Sequence, residues 1–259
     1  MNRISVCLIT LNEQENLQRA LKSVQGIADE IVIVDCGSKD GTEQVAREYS
    51  AAFLFREWTN FAEQKNFAAE AAGCEWILSL DADEELGERL RRSLLEWKQQ
   101  EPQFVVYEFA RRTRYLGGWI KHTTWYPDFQ RRLFRKGKAH FSGAVHEALR
   151  FEGKPGTLRG DLLHYTVQSF AEHELKVERY TTIAAQQMYV AGRRTWRGAM
   201  WVATPWSWFQ NYFLRAGFLD GYRGALIAQM AARAVRLKFA KLGRLIIAEK
   251  NREAAGPSK

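Results

Sequence analysis

Glu30-Ile31-Val32-Ile33-Val34-Asp35-Cys36-Gly37-Ser38-Lys39-Asp40-Gly41-Thr42 decides the fold. Five residues of nearly unbroken β-branched sequence read as a strand buried on both faces, and a polar, glycine-bearing turn follows before Thr42 can cap a helix carrying Val45, Ala46 and Tyr49. The same alternation surrounds it. Strands are predicted near 3–10, 52–56 and 75–81, with a helix that Asn12 can cap carrying Leu17, Ala20, Leu21 and Val24, a third helix over about 61–72, and a fourth running to about Gln99 with Leu90, Leu94 and Trp97 on one stripe. Strand and helix in turn define βαβ units, and hence an α/β fold with a mostly parallel, Rossmann-like sheet and flanking helices. Residues 103–150 read as strands and loops, with turns at Gly117-Gly118 and Gly137; beyond about 168 the pattern is helical. Two regions are therefore expected, 1–167 and 168–259.

The 259 residues are 46% hydrophobic and 26% charged, which excludes a disordered chain. The longest uncharged run, Gly198 to Leu214, is interrupted by Pro205, Gln210 and Asn211, so a spanning helix is not expected. The N-terminus lacks the pattern of a signal peptide, and three cysteines without metal-ligand spacing, Cys7, Cys36 and Cys74, suit reduced thiols in the cytoplasm. The net charge of +8 is uneven: residues 176–259 hold 15 Lys+Arg against 4 Asp+Glu. Such a segment fits nucleic acid or an anionic membrane surface. A nucleic-acid binder leaves the carboxylates described below unexplained, because they repel phosphate, and no nucleic-acid partner is expected.

In an open α/β sheet, ligands bind where loops leave the carboxyl ends of the strands. Three polar clusters fall there: Thr10-Leu11-Asn12-Glu13, Asp35-Cys36-Gly37-Ser38 and Asp81-Ala82-Asp83. The two carboxylates after the strand Trp76-Ile77-Leu78-Ser79-Leu80 suit Mg²⁺ or Mn²⁺ bridging a diphosphate; in the competing reading they merely complement the dipole of the following helix. Asp35 can meet a nucleobase or ribose, although Ser38, Asp40 and Thr42 also make an ordinary turn and cap. Neither a dinucleotide fingerprint nor a P-loop is present.

Together with Gln64-Lys65-Asn66 and Leu80-Asp81-Ala82-Asp83-Glu84, these clusters resemble the nucleotide-sugar half of glycosyltransferase family 2, with its GT-A fold. Arg132-Leu133-Phe134-Arg135, Gly143-Ala144-Val145-His146-Glu147 and Gly217-Phe218-Leu219-Asp220-Gly221 further resemble its branch of lipopolysaccharide-core β-1,4-glucosyltransferases. The resemblance implies an inverting bacterial enzyme, peripheral on the inner membrane at its cytoplasmic face. It implies transfer from a UDP-sugar, with glucose favoured, to a lipid-linked oligosaccharide acceptor, an inner-core heptose. A polyprenyl phosphate or another lipid-linked glycan is the alternative acceptor. The resemblance assigns Thr10, Asn12, Glu13, Asp35, Lys65 and Asp81 to the nucleotide-sugar pocket, and Asp83 with Asp81 to the metal. Many members carry an Asp where this chain has Cys36.

Transfer needs a base to take the acceptor hydroxyl proton. Glu147 is the candidate, against a plain pairing with Arg131 or Arg132, and His146 is given an orienting role. Lys65 has a second reading as a solvated helix residue. His164 is a candidate third metal ligand, against a structural role. In the last helix, Val235, Phe239, Leu242 and Ile246 oppose Arg233, Arg236, Lys241 and Arg244, which describes either a membrane-associating appendage or a helix packed on protein. Upstream, Trp196, Trp201, Trp206 and Trp208 with Phe209, Tyr212 and Phe213 resemble interfacial aromatics, and with the basic balance of residues 176–259 they favour a C-terminal helical, membrane-associating appendage.

Overall fold

The computed structural model describes residues 1–143, 147–167, 169–194 and 197–255. Strands β1 (Ile4–Thr10), β2 (Glu30–Asp35), β3 (Ala52–Phe55) and β4 (Trp76–Asp81) lie where the periodicity places them. β1 runs parallel to β2 on one side and to β4 on the other, with β3 outside β2. Helices α1 (Gln14–Val24), α2 (Thr42–Glu48) and α3 (Phe61–Ala71) make the connections that parallel pairing requires. Successive β1 residues serve opposite faces. Val6 and Leu8 pack with Leu17 and Leu21 of α1 and with Leu90, Leu94 and Trp97 of α4 (Glu88–Lys98), while Cys7 packs with Ala62 and Ala68 of α3. Burial on both faces accounts for the continuous apolar runs.

Parallel pairing holds for one half of the sheet. Beyond β4 come β8 (Asp128–Arg135), β6 (Val106–Tyr115), β11 (Gly156–Val167) and β5 (Glu84–Leu86), with β7 (Gly118–Trp119) at the end of β6. β4 pairs with β8, β8 with β6 and β11 with β5, each antiparallel. Between residues 103 and 167 no α-helix occurs among the described residues, so nothing there supplies the crossover that a parallel neighbour requires. A hairpin of β9 (Ala139–Ser142) and β10 (Ala148–Phe151) adds Phe141 and Leu149 to the core that α3 covers.

Two local expectations are corrected. Asn12 does not cap α1: it has φ 55°, and its side chain accepts from Lys39 N at 2.8 Å. Thr42 is the first residue of α2, and Asp40 Oδ1 accepts from its backbone N–H at 3.1 Å.

The chain divides into two compact units, Met1–Arg112 with Asp128–Tyr165, and Thr113–Pro127 with Thr166–Lys259. The second contains α5 (Phe170–Val190), α6 (Arg197–Phe209) and α7 (Gly221–Ala255), with a π-helical turn at Gln210–Leu214 and a 3-10 turn at Gly217–Asp220 between the last two. Asp220 accepts from the backbone N–H of His122 at 2.9 Å and lies 3.0 Å from its Nδ1, so this residue of the glycine-bearing motif secures the 116–127 loop. Among the described residues, no helix is long and apolar enough to cross a membrane.

The two readings of the last helix are separated by packing. Leu242 and Ile246 are buried with Ala185 of α5, and Phe239 lies alongside. Lys241, on the opposing arc, donates to Glu178 O and to the Thr181 and Thr182 hydroxyls. The stripe is protein core. Leu242→Ala is accordingly expected to destabilise the chain by about 2–5 kcal/mol in chemical denaturation, through lost burial and the cavity left behind.

Candidate active site

Sheet register sets the first distances. Thr10 of β1 is the partner of Asp35, and Ile9 is the partner of Asp81, so the tips of β2 and β4 flank the tip of β1. With neighbouring strands about 4.8 Å apart, the two aspartates sit about 10 Å apart across one edge.

Asp35 is buried, and its carboxylate is fully used. Oδ1 accepts from the backbone N–H groups of Gly37 and Ser38 at 2.8 and 2.7 Å, and Oδ2 from the Thr10 and Ser38 hydroxyls at 2.8 and 2.5 Å. Burial opposes ionisation here, but the Ser38 hydroxyl, the two backbone donors and Thr10 outweigh it and hold the carboxyl below the usual range. Thr10 thus orients Asp35. The neighbouring loop is stitched to the same turn: the backbone N–H of Asn12 donates to Ser38 Oγ at 2.8 Å, and that of Glu13 to Thr42 Oγ1 at 3.0 Å. Cys36 takes up its own position with Sγ 3.3 Å from Thr10 O.

Asp81 ends β4 between two cations. Lys65 Nζ lies 2.8 Å from Oδ1, and Arg132 Nη2 lies 2.5 Å from Oδ2. Arg132 comes from β8, is 5% exposed, and also meets the fully buried Glu84 at 2.6 Å. Burial raises the Asp81 carboxyl, yet the Arg132 guanidinium and then the Lys65 ammonium prevail, and it is held far below the ordinary carboxylate range.

The helix-dipole reading of Asp81-Ala82-Asp83 fails on position. Glu84–Leu86 is a strand, and α4 begins only at Glu88. Pairing of β11 with β5 sets His164 opposite Glu84 and brings its Nε2 to 3.2 Å from Asp83 Oδ2. His164 Nδ1 is buried without a hydrogen-bond partner. Glu13 stands near the same carboxylate: burial raises its pKa first, its bond from Asn16 opposes this, and the Asp83 and Asp40 charges raise it further.

Glu147 does not pair with Arg131 or Arg132. Its Oε1 lies 3.0 Å from Lys65 Nζ, and Arg131 turns to Glu108. Lys65 is not a solvated helix residue either: its side chain is only 3% exposed, and one ammonium joins Asp81 to Glu147. His146 and Trp196 lie outside the described residues. Arg132 and Glu84 carry no distinct sequence signal: Arg132 is the second of two adjacent arginines before Leu133-Phe134, on a strand whose neighbour could not be known.

Asp83 and His164 supply a carboxylate and an imidazole on one side of the site. No group of three or more His, Cys, Asp or Glu side chains able to hold a metal occurs among the described residues. At diphosphate sites Mg²⁺ is commonly held by one or two carboxylates with its remaining positions left to phosphate and water, and the part-exposed Asp83 carboxylate fits that role.

Asp35 is held below and Asp81 far below the usual carboxylate range, so each contributes stability above the unfolded carboxylate pKa of about 3.9 that disappears as pH falls through the lower folded values. Thermal unfolding followed from pH 7 to pH 3 is expected to show Tm falling below about pH 4. In Asp35→Asn, which sets an amide against donors, part of that acid dependence should be absent.

Paired carboxylates at the tip of the fourth strand, and a buried lysine that joins Asp81 to Glu147, gather at one edge of the α/β domain, where ligands of open α/β sheets bind. The profile of glycosyl transferase family 2 matches residues 5–152, and the chain belongs to that family. It is 33% identical over 245 residues to the lipopolysaccharide core biosynthesis glycosyltransferase LpsC of Rhizobium meliloti, covering 88% of this chain and 90% of LpsC. It is 28% identical to an uncharacterized glycosyltransferase of Rickettsia felis, covering 97% of this chain and 93% of that one. Among solved structures, glucosyl-3-phosphoglycerate synthase from Mycobacterium tuberculosis, crystallised with Mn²⁺, UDP and glucosyl-3-phosphoglycerate, aligns with TM-score 0.36 at 21% identity over 44% of each chain.

Proposed function

We propose that this glycosyltransferase moves a sugar, with glucose the favoured choice, from a UDP-sugar to a heptose of the lipopolysaccharide inner core, with inversion, at the cytoplasmic face of the inner membrane. The likeness to LpsC along nearly the whole of both chains supports a place in lipopolysaccharide core assembly. The single observation that carries the site assignment is Lys65, whose ammonium lies 2.8 Å from Asp81 and 3.0 Å from Glu147 and so ties the donor-side carboxylate to the proposed base.

In this reading Asp83 and, within its reach, His164 hold Mg²⁺ or Mn²⁺. When bound, the cation offsets charge developing on the departing diphosphate. Both oxygens of Asp81 are engaged by Lys65 and Arg132, so Asp81 acts by fixing those cations beside the nucleotide rather than by ligation through a free oxygen. Thr10, Asn12, Glu13 and Asp35 form the nucleotide rim, with Asp35 holding the 35–38 turn in shape. Glu147 takes the acceptor hydroxyl proton as that oxygen bonds to the anomeric carbon, and the bond from that carbon to the β-phosphate oxygen breaks as UDP leaves.

Labelled UDP-glucose, with UDP-galactose and other UDP-sugars in parallel, should be incubated with Mn²⁺ or Mg²⁺ and either heptose-terminated core or polyprenyl phosphate. Label from UDP-glucose in core oligosaccharide is expected. Label confined to organic-extractable phospholipid would replace the heptose acceptor with the lipid phosphate.

A further inference from the structure

We infer that the face formed by α6 and the turns after it, and not the last helix, is the surface by which this chain lies on an anionic lipid bilayer. The inference rests on the proposed membrane-side acceptor for its purpose.

The sequence of α6, Arg197-Gly198-Ala199-Met200-Trp201-Val202-Ala203-Thr204-Pro205-Trp206-Ser207-Trp208-Phe209, is rich in apolar side chains, yet none of its thirteen residues is buried. Among the described residues, ten of the twenty-three exposed large hydrophobic side chains fall between Trp201 and Tyr222. Trp201 is 75% exposed, Val202 72% and Leu219 62%. Scattered exposed apolar residues need no explanation, but a concentration of this kind marks an interaction surface. The rings form a connected set, with centroids 5.9 Å apart for Trp206 and Phe209, 5.3 Å for Phe209 and Phe213, and 6.3 Å for Tyr212 and Phe218.

Charge selects the occupant. From 197 to 223, the stretch that forms this face, the charged residues are Arg197, Arg215 and Arg223 against one acid, Asp220, whose carboxylate is already engaged by the 121–122 backbone. Aromatic rings with polar edges settle at headgroup depth, and basic side chains around them are drawn to anionic lipid. A two-fold dimer through this face would instead gather Arg197 and Arg215 of both copies, four like charges, into one interface. The last helix is spent on α5, as Leu242 and Ile246 show, and no described helix can span the bilayer. The surface therefore lies on the membrane through α6.

The full chain should be sedimented with vesicles of phosphatidylglycerol and phosphatidylethanolamine, and with phosphatidylcholine vesicles as the neutral comparison. The wild type is expected to bind the anionic vesicles, more weakly at high salt. The double variant Trp201→Ser with Trp206→Ser is expected to lose about tenfold or more in partition while keeping its circular dichroism spectrum. Leu175→Ser, at a residue 72% exposed on α5, should bind as the wild type does. Unchanged binding by the folded double variant would overturn the inference, as would a wild-type dimer that the same two substitutions dissociate. Vesicle binding without any sugar transfer would leave this surface standing and remove the proposed acceptor; transfer to core in solution without vesicle binding would do the reverse.

Discussion

Asp83→Ala is expected to lower sugar transfer by at least about a hundredfold and to abolish the metal dependence of UDP binding, read by initial rates and by titration calorimetry with and without Mn²⁺. The size follows from the several kcal/mol of charge stabilisation that a cation provides at a leaving diphosphate. Asp83 is the exposed partner in this part of the site, its side chain 27% accessible and facing His164 at 3.2 Å, so its removal opens no core cavity and strands no buried cation. The fold should persist, which a thermal melt checks. Asp81→Ala is a poorer probe because it leaves the buried Lys65 and Arg132 without the carboxylate between them, and breaking a buried pair costs about 3–5 kcal/mol. Metal-dependent UDP binding by Asp83→Ala at wild-type affinity would remove Asp83 as a ligand.

The second large effect belongs to Glu147. Glu147→Gln should lower kcat by about 10²–10⁴-fold while leaving the affinity for UDP near that of the wild type, because a base acts on the acceptor proton and not on the nucleotide. The amide oxygen can still accept from Lys65, so the substitution removes basicity with little change of shape. Lys65→Met completes the comparison: it removes the ammonium between Asp81 and Glu147, and the two carboxylates then face one another across a site only partly open to water. It is expected to destabilise the chain and to weaken UDP binding, effects that Glu147→Gln lacks. Near-normal transfer by Glu147→Gln would exclude this glutamate as the base.

Strand positions, the placement of three polar clusters at the strand ends and the family were all legible in the chain, because short-range periodicity and motif order carry them. The residues that give the site its electrostatics were not. Lys65 reads equally well as a surface helix residue, and only the packing of α3 beneath the 139–151 hairpin buries it beside Asp81 and Glu147. Arg132 reaches Asp81 because β8 runs antiparallel beside β4, a pairing between strands about fifty residues apart that no local pattern encodes. Glu84 looks like the first turn of a helix and is instead a fully buried carboxylate on a short strand paired with β11.

The last ninety residues divide in the same way. Their basic, aromatic character and helical period follow from composition and spacing alone, since these are properties of each residue and its near neighbours. Which apolar stripe meets protein and which meets solvent was settled by the docking of α7 on α5, which enclosed Leu242 and Ile246 and left Trp201 and Trp206 outside. A helix carrying apolar residues states only that they must be covered; the partner that covers them is chosen by contacts far away along the chain, and those exist only once it has folded.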